Sequence, residues 1–156
     1  MTTRREDLTS IGLLILRLGI GTYLLSHGVG KLNMLLAGDF ASFGDPIHIG
    51  SAPSLVLVTM SEFLCALLLI VGLGTHFAAV PVVISMSVAV FVAHASNPWS
   101  SETAAKAFFS GTSKDWFSKE PAMMYLIAAL SLAFTGAGAF SLDSVIAHRR
   151  KPAASL

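Results

Sequence analysis

Three ionisable side chains interrupt the first long apolar stretch of the sequence, residues 11–36. They are Arg17, His27 and Lys31. On an α-helix, which turns by roughly 100° per residue, Arg17 and Lys31 fall on one narrow stripe, and His27 lies beside it. An arginine inside an apolar membrane segment costs roughly 2.5–3.5 kcal/mol unless it finds a partner. We therefore expect a buried acid elsewhere in the chain to face Arg17.

Glu62 is the acid that we predict as the partner of Arg17, because it lies in the middle of the second apolar stretch. At about 1.5 Å per residue, Arg17 should lie roughly 9 Å deep and Glu62 roughly 15 Å deep, a difference that an arginine side chain can span. Two roles remain open for this pair. It is either a structural clamp between two helices or a catalytic pair that moves a proton or polarises a ligand. Arg17 and Glu62 are therefore the candidate catalytic residues.

A second polar cluster is expected near the outer ends of the helices. His27 and His94 should both lie about 24–27 Å from the inner ends of their helices. Lys31 follows His27 by one turn, and Asn97 and Trp99 follow His94. Such a pocket can hold a quinone head group, a haem between two histidines, or a metal ion. The alternative is that these side chains only extend into the lipid head groups.

A quinone is the ligand we favour for this pocket, with His27, Lys31, His94 and Trp99 as the candidate cofactor-binding residues. Only the matched depth of the two histidines favours haem. Two histidines without a third ligand also make a poor zinc site, so no metal site is predicted.

The composition indicates a membrane protein. Of the 156 residues, 54% are hydrophobic and 12% are charged, whereas soluble domains average about 45–50% and about 25%. The net charge of +1, with no basic patch, argues against nucleic acid as a partner. A single cysteine, Cys65, excludes an internal disulfide and any CxxC motif. If the protein takes part in redox chemistry, another molecule must supply the redox group.

Four apolar segments are each near the roughly 20 residues that a membrane-spanning helix requires. They are residues 11–32, 52–72, 77–96 and 121–139. The short connection at residues 72–76 predicts that the second and third helices lie side by side and antiparallel. The predicted fold is therefore all-α, an integral membrane antiparallel four-helix bundle that forms one domain over residues 1–156.

The basic residues predict the orientation of this bundle. Arg4 and Arg5 precede the first span, and Arg149, Arg150 and Lys151 follow the last. An even number of spans places these two groups on the same side. The excess of lysine and arginine on cytoplasmic loops then favours both termini in the cytoplasm and a location in the cell inner (plasma) membrane.

The outer loop at residues 97–120 is unusually aromatic. Within it, SETAAKAFF is typical of a short helix with a Glu102–Lys106 pair four residues apart. Aromatic side chains near span ends favour the membrane interface, so we expect an amphipathic lid on the outer surface. Its aromatic residues are Trp99, Phe108, Phe109, Trp116 and Phe117.

Asp143 follows the fourth span at the predicted cytoplasmic surface. Its carboxylate is expected to cap the short helix of residues 144–149 by accepting backbone N–H bonds. Binding of a cytoplasmic partner is the alternative role.

Four stretches resemble the DoxX family of small four-helix membrane proteins, and they occur in the order typical of that family. They are RLGIGTYLLSHGVGKL (17–32), EFLCALLLIVGLGTHFAA (62–79), VFVAHASNPW (90–99) and GAGAFSLDSVI (136–146). The resemblance implies that Arg17, Lys31, Glu62 and Asp143 occupy recurrent polar positions, and that His27 begins an HGxxK element. Residues 136–138 are Gly-Ala-Gly, where many members carry Gly-Pro-Gly.

The resemblance implies a membrane subunit of a quinone-linked oxidoreductase system, since related proteins include a subunit of thiosulfate:quinone oxidoreductase. It also implies assembly with cytoplasmic redox enzymes. The sequence contains no flavin, nucleotide or haem-attachment motif, so electrons must come from a partner protein or a small sulfur donor. Without a self-contained catalytic motif, whether the chain is itself an enzyme stays open.

The alternative function is a non-enzymatic membrane scaffold or chaperone. It would assemble partner proteins through the aromatic outer loop and the basic tail at residues 148–156. A transporter is disfavoured, because four helices leave little room for alternating access unless the chain forms a homo-oligomer.

Overall fold

The computed structural model describes residues 2–112 and 117–150. This part of the chain consists of helices and connecting loops and contains no β-strand. The helices are α1 (Thr2–Ala37), α2 (Ser51–Val71), α3 (Thr75–Ala93), α4 (Ser101–Phe109), α5 (Glu120–Thr135) and α6 (Leu142–Arg150).

Three of these helices, α1, α2 and α3, are long and apolar enough to cross a membrane. Their bounds agree with the predicted spans, except that α1 begins earlier and continues to Ala37. The fourth predicted span is shorter than expected, because α5 has 16 residues and ends at Thr135. Gly136 follows with a φ of 73°, a left-handed conformation that commonly ends helices.

The long helices and α5 pack against one another around a shared apolar core. α1 lies along α2, α3 lies along α5 and against the middle of α2, and α1 also touches α5. Close packing of side chains, together with hydrogen bonds, holds helices together in a lipid environment. The fully buried apolar side chains of this core include Leu24, Ala66, Leu69, Ala79, Val82, Ala129 and Leu132.

Two of the long helices contain a π-helical segment. The segment in α2 is Met60–Cys65, and the segment in α3 is Ala89–Ala93. Such segments are rare and are frequently found at functional sites. Glu62 lies within the first segment, and His94 directly follows the second. Both π segments therefore contain or adjoin a predicted site residue.

The helix predicted within residues 97–120 is confirmed as α4. Ser100 caps it, because its Oγ accepts a hydrogen bond of 3.2 Å from the backbone N–H of Thr103. The predicted Glu102–Lys106 ion pair is also present, at 2.6 Å. Trp116, one of the aromatic residues of the predicted lid, lies outside the described residues. The position of α4 at the membrane surface stays a prediction.

α1 and α2 approach each other closely at Gly28. A Cβ atom at this position would lie 2.4 Å from the backbone oxygen of Glu62, far inside van der Waals contact. Backbone atoms in the middle of a helix cannot move aside as a flexible side chain can. Only glycine therefore permits the observed distance between α1 and the π segment of α2.

We expect Gly28→Ala to destabilise the protein by about 1–3 kcal/mol, because the new methyl group forces α1 away from α2. Thermal unfolding in detergent should show a fall in Tm of roughly 3–10 °C. Gly30→Ala is the matched control, since a Cβ at Gly30 meets nothing within 4 Å. If the two variants unfold at the same temperature, the close approach at Gly28 does not constrain the fold.

Candidate functional site

A pocket of about 280 Å³ lies where α1, α2, α3 and α5 meet. Its polar lining comes from His27, Lys31, Glu62, His94, Ser118 and Tyr125. The structure therefore brings three of the four predicted cofactor-binding residues to one cavity. The remaining wall is mainly apolar and includes Leu24, Met86, Ala89, Phe117, Pro121 and Ala122.

Lys31 and Glu62 form an ion pair across this pocket, with Nζ 2.5 Å from Oε2. Glu62 is only 5% exposed, so its carboxylate depends on this partner. Removing one member of a buried ion pair is strongly destabilising, because it leaves an uncompensated charge in a medium of low dielectric constant. The close approach at Gly28 brings Lys31, one turn later on α1, within reach of Glu62.

The predicted Arg17–Glu62 pair is wrong, because the register between α1 and α2 places the two side chains at different levels. Gly28 is the residue of α1 that lies opposite Glu62. Arg17 lies about 16 Å away along the same helix, at roughly 1.5 Å per residue, and so it cannot reach the carboxylate. The depths estimated from span boundaries failed because α1 extends well beyond the boundary that its apolar residues indicate.

Arg17 is instead fully buried among backbone carbonyl groups. Its Nη1 donates to the carbonyls of Leu69 (3.3 Å) and Ile70 (3.5 Å), and its Nη2 donates to the carbonyl of Phe140. Carbonyls in the last turn of a helix have no intrahelical donor and carry a partial negative charge. The guanidinium therefore joins α1, the end of α2 and the segment before α6, and Arg17 does not line the pocket.

Gly72 makes room for the Arg17 guanidinium. It has a φ of 69°, and a Cβ atom there would lie 2.0 Å from Arg17 Nη1. The carbonyl of Gly72 also accepts a hydrogen bond of 2.9 Å from the backbone N–H of Asp143. The connection between α2 and α3, the guanidinium and the start of α6 thus form one packed unit.

Asp143 caps a different helix from the one predicted. Its carboxylate accepts hydrogen bonds from the backbone N–H groups of Gly74 (2.7 Å) and Thr75 (3.0 Å), at the start of α3. The hydroxyl of Ser141 accepts from Ser144 N at 3.2 Å and so caps α6. The sequence marks Asp143 as a capping residue, but only the fold shows that the capped helix lies far away in the chain.

The pKa of the Asp143 carboxyl lies below its ordinary value. Burial acts to raise this pKa, but the hydrogen bonds from the backbone N–H groups of Thr75 and Gly74 stabilise the charged form and outweigh burial. Its negative charge also interacts with the nearby Arg17 guanidinium.

The two histidines of the pocket have different neighbours. The His27 ring meets the Tyr125 ring edge to face, with centroids 6.1 Å apart and an interplanar angle of 73°. The Nδ1 atom of His94 lies 3.1 Å from the side-chain nitrogen of Asn97. Sequence reasoning missed Tyr125, although a phenol within an otherwise apolar segment was a usable signal.

Trp99, the fourth predicted cofactor-binding residue, does not line the pocket. Its ring lies under the Lys119 ammonium, 4.7 Å from Nζ, in a cation–π contact. Lys119 Nζ also donates to the carbonyl of Ala95 at 2.8 Å. Trp99 and Lys119 therefore hold the loop between α3 and α4 against the start of α5, beside the pocket.

Over residues 2–112 and 117–150, no three histidine, cysteine, aspartate or glutamate side chains are grouped so that they could hold a metal ion. The polar groups of the pocket are an ammonium, a carboxylate, two imidazoles, a phenol and the hydroxyl of Ser118. These groups can donate and accept hydrogen bonds and can exchange protons with a bound molecule.

We expect Gly72→Ala to destabilise the protein by roughly 3 kcal/mol or more, because the guanidinium of Arg17 must leave its carbonyl partners. Gly74→Ala is the matched control, since Gly74 also has a positive φ, of 58°, but a Cβ there meets nothing within 4 Å. The control should lose only the roughly 1–2 kcal/mol of left-handed strain. Equal losses in thermal unfolding would contradict the proposed anchoring of Arg17.

The low pKa of Asp143 predicts a loss of stability in acid. The Asp143 carboxylate contributes fully above its ordinary pKa of about 3.9, and this contribution disappears as the pH falls toward the lower pKa of the folded state. Asp143→Asn should therefore lower Tm at pH 7 and reduce the fall in Tm between about pH 5 and pH 3. Asp39→Asn is the control, because Asp39 bonds only within its own loop, to Ser42.

The pattern that defines the DoxX family matches residues 12–95, more than half of the 156-residue chain. The match covers most of the first apolar stretch that is long enough to span a membrane, all of the other two, and four of the pocket's polar residues. No curated protein and no solved structure matches the chain. The family match and the apolar helices together indicate a membrane protein, and the resemblance noted in the sequence is confirmed: the chain belongs to the DoxX family.

Proposed function

We propose that this protein is the membrane subunit of a quinone-linked oxidoreductase system, and that its pocket holds the quinone head group. One observation carries the proposal. A largely apolar cavity of about 280 Å³ contains a Lys31–Glu62 ion pair and is lined by the imidazoles of His27 and His94. Ionisable groups inside membrane segments are rare, and they are functional candidates when they line a cavity.

In this proposal α1, α2, α3 and α5 form an antiparallel four-helix bundle, one transmembrane domain with both termini in the cytoplasm. The backbone N–H of Ala139 donates to Ser10 Oγ at 3.2 Å, so the start of α1 and the segment after α5 meet at one end. Arg4, Arg5 and Arg149 lie in or beyond these segments. Their positive charges favour the cytoplasmic side of an inner membrane, and the pocket then lies toward the outer side.

The residues of the pocket fit a quinone head group. The cavity volume of about 280 Å³ lies near the lower end of the roughly 300–1,000 Å³ typical of small-molecule sites, which suits a single substituted ring. Apolar side chains such as Leu24, Met86 and Phe117 supply the walls. Lys31 can donate a hydrogen bond to an oxygen of the ring, and Glu62, once protonated, can donate a proton to one.

A bound quinone supplies the redox chemistry, because it takes up two electrons and two protons when it becomes a quinol. The part of the protein is to hold the ring, to exclude water and to supply the protons. Lys31 would hold a positive charge beside a ring oxygen, and Glu62, whose Oε2 lies 2.5 Å from Lys31 Nζ, would take up a proton from water and pass it to that oxygen. Arg17 is too far from the pocket for this task, so Lys31 takes the role first considered for Arg17.

The electrons come from a partner protein or a small sulfur donor in this proposal. The sequence contains no flavin or nucleotide motif and no haem-attachment motif. The protein would therefore be one part of a redox complex, and the lipid bilayer would deliver the quinone.

We expect Glu62→Gln to reduce the affinity for a short-chain alkylated benzoquinone by at least about tenfold, because Lys31 loses the carboxylate that holds its ammonium at the pocket. The measurement is a titration of detergent-purified protein, with mass spectrometry of the lipids that co-purify. Glu102→Gln is the matched control, since it breaks an ion pair of similar length, 2.6 Å, on the exposed face of α4. Lys31→Arg keeps a positive charge beside Glu62, so it should fold as the unaltered chain does. Its quinone affinity then shows whether the pocket needs the lysine ammonium itself.

The scaffold alternative is favoured by a different observation. The described residues of the loop at 97–120 expose large aromatic side chains, with Phe109 81% exposed and Phe117 60% exposed. These side chains can contact a partner protein or the lipid interface. If the purified protein contains no quinone and binds none, while protein partners co-purify equally with the unaltered chain and Glu62→Gln, the scaffold function replaces the redox proposal. Residues 151–156 of the basic tail lie outside the described residues.

A further inference from the structure

The hydrogen bond between Asn97 and His94 defines which nitrogen of the His94 ring carries the proton. The side-chain nitrogen of Asn97 lies 3.1 Å from His94 Nδ1. An amide nitrogen can only donate, so Nδ1 must accept, and a neutral imidazole then carries its proton on Nε2. We infer that Asn97 is a positioning residue that makes His94 a hydrogen-bond donor toward the pocket.

The backbone holds Asn97 in the position that this bond requires. His94 closes the π segment of α3, with its N–H donating to the carbonyl of Ala89 at 2.9 Å. The N–H of Asn97 then donates to the carbonyl of His94 at 3.0 Å. The first bond ends the π segment, and the second closes a tight turn immediately after α3 that places the amide of Asn97 beside the imidazole.

Lys119 fixes the same turn to the start of α5. Its Nζ donates to the carbonyl of Ala95 at 2.8 Å, and its backbone N–H donates to the carbonyl of Pro98 at 3.0 Å. α5 supplies part of the pocket wall two residues later, at Pro121. The His94 ring is therefore held relative to the wall of the pocket that it lines, which is the rigidity that a specific hydrogen bond to a ligand needs.

The tautomer decides what the ligand must present to His94. An Nε2–H group binds an acceptor, such as the carbonyl oxygen of an oxidised quinone, and does not accept from a donor. The described residues supply no hydrogen-bond partner to Nε2, so this donor is available to a molecule in the pocket. This part of the inference rests on the proposed function, because the proposed function supplies the identity of the ligand.

Replacing Asn97 with aspartate should change the tautomer of His94, so that Nδ1 carries the proton instead of Nε2. A carboxylate can only accept, so it takes the hydrogen bond from Nδ1–H and leaves Nε2 as an acceptor in the neutral imidazole. Asn97→Leu removes the constraint without imposing either tautomer. Ser96→Asp is the matched control for added charge, because Ser96 is an exposed neighbour in the same turn.

The first experiment reads the tautomer directly. Protein labelled with ¹⁵N-histidine is studied by long-range ¹H–¹⁵N correlation in detergent at about pH 8.5, where an ordinary histidine is neutral, and His94→Gln assigns the signal. We expect Nε2–H in the unaltered chain and in Ser96→Asp, Nδ1–H in Asn97→Asp, and a mixture in Asn97→Leu. A predominant Nδ1–H signal in the unaltered chain would overturn the inference without the use of any variant.

The second experiment measures the affinity for the short-chain alkylated benzoquinone. Asn97→Asp should weaken binding at least about tenfold, because the acceptor nitrogen then faces the carbonyl of the ligand, while Ser96→Asp should bind as the unaltered chain does. Equal affinities for Asn97→Asp and Ser96→Asp would show that His94 does not donate to this ligand. If the unaltered chain binds no quinone, the proposed function fails, whereas the NMR spectrum still decides the role of Asn97.

Discussion

The burial of the Arg17 guanidinium is the constraint on which one half of the structure depends. A charge inside an apolar helix must find partners, and here it finds the carbonyl groups at the end of α2 and of Phe140. This solution requires a glycine at position 72, because any side chain there would occupy the space of the guanidinium. It also brings Asp143 beside the start of α3, where its carboxylate caps that helix. The same contacts therefore both stabilise the buried charge of Arg17 and hold the helix ends together at this end of the molecule.

A second buried charge organises the opposite end. Glu62 is paired with Lys31, and the pair is possible because Gly28 lets the backbones of α1 and α2 come close. Glu62 lies in a π segment and the pair lines a cavity, whereas a purely structural clamp has no need of a cavity beside it. Arg17 and the Lys31–Glu62 pair therefore have different positions and partners in the structure. Arg17 joins α1 to the end of α2, and the Lys31–Glu62 pair gives the pocket two ionisable groups.

The pocket also depends on residues that do not touch its contents. Lys119 ties the turn after α3 to the start of α5, and Asn97 orients the His94 ring within that turn. Such supporting residues decide whether a histidine presents a donor or an acceptor, and so which ligand the cavity prefers. A quinone-linked role and a donor at His94 are consistent with each other, because both call for a carbonyl oxygen in the cavity.

The sequence by itself determined the features that are local along the chain. Apolar runs predicted the three long helices, SETAAKAFF predicted α4 with its Glu102–Lys106 pair, and the ordered motifs indicated the family. Periodicity and i,i+4 spacing express these features directly. The partners of Arg17, Glu62 and Asp143 were decided only by the tertiary structure. Pairing between helices depends on their register, which is set by glycine contacts and helix ends that hydropathy does not reveal.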